Sequence, residues 1–272
     1  METIRYNGIK YNAGHSIDVK DTLVAEEMLT ISLNHQPFTV TMRTPGNDKE
    51  LALGLTFTEG VYALDEPLPE MQITSLNERS IPLTIQVLTH KQQLSFPIQQ
   101  RSMLSVSSCG ICGKTQIDSL ADGKTPITHT DFILPQNIES MFHAMNERQA
   151  TFQQSGGSHA AAAFTLDAKL LSVQEDIGRH NAVDKVIGEL ILTNQLTQAR
   201  CLVVSGRVSF EIVSKCHAAG IPFLSAVSAP SSLAVDVSDK LGITLMAFCR
   251  DQSFTIYSHP SYIHLDHTTI KK

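Results

Sequence analysis

Cys201-Leu202-Val203-Val204-Ser205 opens the stretch that decides the fold. Its apolar run reads as a buried strand. Ser209 then caps a helix that runs to Ala219, with Gly220 just past its end. Pro222–Val227 reads as a second strand. Ser231 or Ser232 caps a helix that stops at Gly242, and Ile243–Phe248 reads as a third strand. Serine before a helix and glycine after it are the expected punctuation. This β-α-β-α-β alternation predicts a parallel sheet with helices packed on it.

In open parallel sheets, ligands bind beyond the carboxyl ends of the strands. Ser205-Gly206-Arg207 follows the first strand, Ser228-Ala229-Pro230-Ser231-Ser232 the second, and Cys249-Arg250-Asp251-Gln252-Ser253 the third. If the strands are neighbours, these segments share one rim. Two guanidiniums, several hydroxyls and helix-start amides are the groups that hold phosphates. The plainer account is that small polar residues cap helices and turn the chain.

Upstream, Asn181–Thr193 carries apolar residues at helical spacing. Before it stands Glu175-Asp176-Ile177-Gly178-Arg179-His180-Asn181, dense in groups that are costly to bury unpaired. It reads either as a solvated helix start capped by Asn181 or as a functional loop. Ala160–Leu166 and Leu170–Gln174 form a predicted hairpin, and residues 134–152 a predicted helix. In Ser155-Gly156-Gly157-Ser158-His159, the glycines would let backbone approach a ligand closely. The N-terminal part reads as strands with one helix. Leu29–Leu33 and Phe38–Met42 form a hairpin pattern, Asn47 opens a helix that Gly60 stops, and strands are expected at Leu83–Leu88 and Gln93–Ile98. The expectation is an α/β protein, α+β overall, with a smaller β-rich domain over residues 1–122 and an α/β domain over 123–272.

The chain has 272 residues, 42% of them hydrophobic, with a formal net charge of -6. An acidic balance argues against general nucleic-acid binding. No apolar run reaches spanning length, and the first residues lack a signal-type stretch. A cytoplasmic protein, off the membrane, is expected. Five cysteines do not make a disulfide framework in such a chain.

Two cysteines form a CxxC, Cys109-Gly110-Ile111-Cys112, in the polar, glycine-punctuated segment Ser105–Thr115. Tetrahedral zinc needs two more ligands, and Cys201, Cys216 and Cys249 are scattered in strand and helix patterns. Zinc deaminases use H-x-E with P-C-x-x-C, yet no histidine here is followed by Glu two residues on, and Ser108 precedes Cys109. Dithiol redox chemistry and persulfide carriage remain, and spacing does not separate them.

Several segments together resemble one family. They are Arg43-Thr44-Pro45-Gly46-Asn47-Asp48 through Gly60, Ser108–Gly113, Gly156–Ala161, Glu175–Lys185, Ser205–Val213 and Ala219–Val235. The chain looks like a formate dehydrogenase accessory sulfurtransferase of the FdhD/NarQ family. The resemblance implies a cytidine-deaminase-like three-layer α/β/α domain without zinc. It implies a cytoplasmic homodimer that takes sulfur from a cysteine desulfurase. The sulfur passes to molybdenum-bis(molybdopterin guanine dinucleotide) before that cofactor enters formate dehydrogenase. By motif match Cys109 bears the persulfide and Cys112 is its partner. Phe248, Cys249, Arg250, Asp251, Gln252 and Ser253 match the cofactor segment. That phosphate-rich acceptor agrees with the rim of Ser205, Gly206, Arg207, Ser228 and Ser231, and GDP is its expected mimic. The alternative is a non-catalytic chaperone that binds and protects the molybdenum cofactor.

Overall fold

The computed structural model describes residues 2–89 and 123–265. Cys109, Cys112, the strand expected at Gln93–Ile98 and the boundary expected at residue 122 lie outside the described residues. The chain divides into two compact units. One takes its described residues from Met1–Cys112, Gln149–Ala160 and Gln174–Leu192, the other from Gly113–Arg148, Ala161–Val173 and Thr193–Lys272.

The first unit begins with β1 (Thr3–Asn12) and β2 (His15–Val24), an antiparallel hairpin. Its turn places Ala13 and Gly14 at positive φ, as a tight hairpin turn requires. A four-stranded sheet follows, ordered β4-β3-β6-β5, from β3 (Glu27–Leu33), β4 (Gln36–Arg43), β5 (Glu70–Leu76) and β6 (Pro82–Leu88). The hairpin read at 29–42 and the strand at 83–88 are present, and β5 is an addition. Leu29, Ile31, Leu33, Ile85 and Val87 turn one face inward, where Leu51 and Ala52 of α1 (Asp48–Thr58) cover it. Gly60, at φ +74°, ends the turn after α1. Asn47 precedes the helix, but it sits in the left-handed region and its side chain caps nothing. Its amide donates to Gln174 instead.

α1 packs along a later helix, α4 (Arg179–Leu192). Glycine makes this contact. A Cβ on Gly54 would lie 1.8 Å from the Asp184 carbonyl oxygen, and one on Gly188 would lie 1.9 Å from that of Glu50.

The region read as one helix over 134–152 is two, α2 (Pro135–Asn146) and α3 (Ala150–Ser155). Gln149 leaves the helical region at ψ 63°. The Glu175 carboxylate then accepts from the Thr151 and Phe152 amides, 2.8 Å each, and starts the second helix.

The six-stranded sheet runs β12-β11-β10-β9-β7-β8. It is built from β7 (His159–Phe164), β8 (Leu170–Asp176), β9 (Cys201–Val204), β10 (Phe223–Ala226), β11 (Thr244–Arg250) and β12 (Ser253–Ile256). Helix α4 follows β8, while α5 (Phe210–Ala218) and α6 (Ser232–Lys240) are the crossovers of the parallel triplet β9-β10-β11. Right-handed crossovers put α5 and α6 on one face, and α2 packs against β9 and β11. The sheet is mixed rather than purely parallel. β7 runs antiparallel to β9, and β12 antiparallel to β11. Asp251-Gln252 is too short a link from β11 to β12 for a parallel return. The architecture is therefore mixed α/β with several sheets.

Candidate functional site

Backbone bonds stitch the three rim segments together. Past β9, the Val208 amide donates to the Ala229 carbonyl at 3.1 Å, and the Ser231 amide donates back to Val208 at 2.9 Å. Between them Val208 and Pro230 form a short parallel bridge. Past β10, the Phe248 amide donates to the Ser228 carbonyl at 3.4 Å. The segments after the three parallel strands thus lie side by side at one end of the sheet.

On this rim Arg207 and Arg250 are exposed, while Gly206 and Cys249 are buried and Ser205 and Ser228 are half-buried. Arg43, Arg79 and Arg200 pair with Asp48, Glu27 and Asp131. Arg207 and Arg250 have no side-chain partner among the described residues. Two unpartnered guanidiniums on adjoining loops suit an anion. The Ser231 hydroxyl is engaged, accepting from the Ala234 amide at 3.1 Å as the cap of α6. Capping is thus the correct account of that serine's side chain. Asp251 and Gln252 turn the chain at φ +50° and +60°, and the Ser253 hydroxyl donates to the Arg250 carbonyl.

In the first unit the structure joins two motifs that lie far apart in sequence. Asp176, fully buried, accepts from Lys185 Nζ at 2.8 Å and the Thr44 amide at 3.1 Å through Oδ2. Its Oδ1 accepts from the Gly178 amide and Asn181 Nδ2. Lys185 also donates to the Thr44 and Glu175 carbonyls. The Ile177 amide donates to the Thr44 hydroxyl, and Asn181 Nδ2 reaches the Met42 carbonyl. Beside them Arg43, fully buried, pairs with Asp48 at 2.6 Å. The cluster at 175–181 is therefore neither a solvated helix start nor an asparagine cap. Within it, Asp176 and Asn181 join Thr44 and Lys185 in a buried hydrogen-bonded network that fixes the course of the loop. Gly157 packs against the chain itself, because a Cβ there would meet Val24 of β2 at 2.9 Å, and Gly156, at φ +67°, ends α3.

The FdhD/NarQ family model matches residues 24–264. A sulfur carrier protein FdhD from Nocardia farcinica is 39% identical over 259 residues, 94% of this chain and 93% of its own. One from Streptomyces coelicolor is 42% identical over 246 residues, covering 88% and 87%. One from Sulfolobus acidocaldarius is 38% identical over 261 residues, covering 94% and 96%. The chain belongs to the FdhD/NarQ family. A solved formate dehydrogenase accessory protein from Desulfotalea psychrophila shares the fold, with a TM-score of 0.75, 21% identity and coverage of 97% of this chain and 100% of that one. Most of the β1-β2 hairpin precedes the stretch that the FdhD/NarQ model matches.

Three of the five cysteines of this FdhD/NarQ member can be judged directly. Cys201, Cys216 and Cys249 are free and buried. Burial pushes the Cys249 thiol up to about 12, against a hydrogen bond from the Ala226 backbone. Burial also pushes Cys201 and Cys216 well up. None of the three offers a thiolate near neutral pH, and the thiolate is the nucleophilic form. Among the described residues no three His, Cys, Asp or Glu side chains gather as a metal site, and no helix is long and apolar enough to cross a membrane.

Proposed function

We propose that this protein is a sulfur carrier that loads a molybdenum cofactor destined for formate dehydrogenase. The observation that carries the proposal is the fate of its thiols. Three of five are buried and held protonated, which leaves Cys109 and Cys112 for nucleophilic work. The names of its relatives support sulfur as the cargo. The name of its structural neighbour supports formate dehydrogenase as the destination.

The Cys109 thiolate attacks the terminal sulfur of a persulfide on a cysteine desulfurase. The S–S bond of that persulfide breaks, and the desulfurase thiolate leaves. The Cys112 thiolate then attacks Cys109 Sγ, forming a disulfide between the pair and expelling hydrosulfide to the acceptor. A cellular thiol reductant restores the dithiol. The acceptor is molybdenum-bis(molybdopterin guanine dinucleotide), its phosphates held by Arg207, Arg250 and the amides around Ser228–Ser231. Phe248–Ser253 lie against it, with Cys249 contributing backbone only. The protein works as a cytoplasmic homodimer.

The test is formate dehydrogenase activity in cells carrying Cys109→Ala as the sole copy. Activity is expected to fall to background. Wild-type activity with the protein present would leave a cofactor-protecting chaperone as the better account.

A further inference from the structure

The β1-β2 hairpin reaches beyond the contacts that anchor it. At its base the Thr3 hydroxyl donates to Gln154 at 3.4 Å, the Ala25 amide donates to the Glu2 carbonyl at 2.7 Å, and Val24 lies against Gly157. Further out, Tyr6, Ile9, Tyr11 and Ile17 are exposed. Ile4, Tyr6, Ile17, Val19 and Leu23 share one face, because residues opposite one another in the ladder project to the same side. Among the described residues no third strand pairs with either edge. A lone two-stranded ribbon is marginal in water, and three or more strands with an apolar face are needed for stability.

The free edge of β2 is self-complementary. Asn12 and His15 flank the two-residue turn, and the closing pair of a tight hairpin exchanges backbone bonds. Bonding alternates from there. Ile17, Val19 and Asp21 point their backbone groups at β1, while Ser16, Asp18, Lys20 and Thr22 point theirs outward. The Thr22 amide agrees with this, donating to the Asp21 carboxylate at 3.1 Å. Asp18 faces Ile9 across the hairpin and Lys20 faces Asn7, so neither meets a charge there.

A second, antiparallel β2 laid on this edge must match outward groups to outward groups. Centred on Asp18, it opposes two carboxylates. Centred on Lys20, it opposes two ammonium groups, and like charges directly opposite are destabilising. Centred on Val19, it sets Asp18 opposite Lys20 of the second copy, twice, and Ser16 opposite Thr22. The edge of β1 offers no such match, because that strand carries Arg5 and Lys10 and no acid.

We infer that β2 pairs with β2 of a second copy of this chain, antiparallel and centred on Val19, making a four-stranded sheet. The two Asp18–Lys20 pairs set the register, and the two apolar faces join into one. The symmetric pairing closes on itself, so it ends at two chains. It supplies a contact surface for the homodimer proposed above and does not depend on the sulfur relay. Most of the hairpin precedes the family-matched stretch 24–264, so this contact belongs to the chain's own N-terminal arm.

The test is cysteine cross-linking of the full chain, with Cys109→Ala and Cys112→Ala removing the CxxC thiols. Val19→Cys sets two thiols face to face and is expected to give an interchain disulfide under mild oxidation. Gly8→Cys, opposite Val19 on β1, is expected to give several-fold less. In the Val19→Cys background, Asp18→Lys or Lys20→Asp alone makes both pairs repulsive and should cut the yield roughly 5-fold or more. Mixing those two variants, one carrying a size tag, should restore the cross-link between unlike chains only. Equal yields from Val19→Cys and Gly8→Cys, or a mixture no better than its components, would overturn the pairing. A dimer in sedimentation whose Val19→Cys thiols stay reduced would also overturn it, while leaving the homodimer itself in place.

Discussion

Lys185 and Asp176 show how much one residue carries in this chain. Their ion pair is 2.8 Å long and both side chains are essentially sealed from water. Removing one partner leaves a charge in a place that cannot solvate it. Lys185→Ala is therefore expected to destabilise the protein by about 3–5 kcal/mol, read as a lower urea midpoint. A midpoint within error of wild type would mean that the pair is dispensable. The cysteines give a second residue-scale prediction. A group whose neutral form is favoured by burial needs a higher pH to ionise. Cys201, Cys216 and Cys249 should thus resist a thiol reagent at pH 8 in the native state. Only the two cysteines of the CxxC should label quickly, and all five should label in denaturant. Rapid native labelling of a third thiol would contradict the assignment of nucleophiles.

Elements are held by contacts with little tolerance. α1 and α4 meet where Gly54 faces the Asp184 carbonyl and Gly188 faces that of Glu50. A methyl group on either side would occupy the same space as backbone. Gly54→Ala is expected to lower stability by about 1–3 kcal/mol or more through overpacking, measured by chemical denaturation. An unchanged midpoint would show that the helices can part at no cost. The strands β9, β10 and β11 were legible in sequence because each is a short buried run bounded by helix caps and glycine. β1 and β2 were not, because their apolar residues are diluted by polar ones and remain largely exposed. The turn between them rests on Ala13-Gly14, while Asn7-Gly8, the stronger turn signal, lies within β1. The break between α2 and α3 has no proline or glycine to announce it. It depends on Glu175, which is distant in sequence.

At the scale of the whole molecule, the rim could be anticipated because topology alone places the carboxyl ends of parallel strands together. The Thr44–Asp176–Lys185 network could not. Its partners stand 132 residues apart, and spacing says nothing about such a pairing. The ring contact of Phe248 with Tyr257 could not be foreseen either, because it depends on the β11–β12 bulge, which strand periodicity does not encode. The central claim is that the CxxC carries sulfur. The most direct measurement is intact-protein and peptide mass spectrometry after incubation with a cysteine desulfurase and cysteine. One added sulfur should appear on the peptide holding Cys109 and Cys112, and disappear in Cys109→Ala. Unmodified cysteines at 109 and 112, with the desulfurase itself persulfidated, would contradict the account.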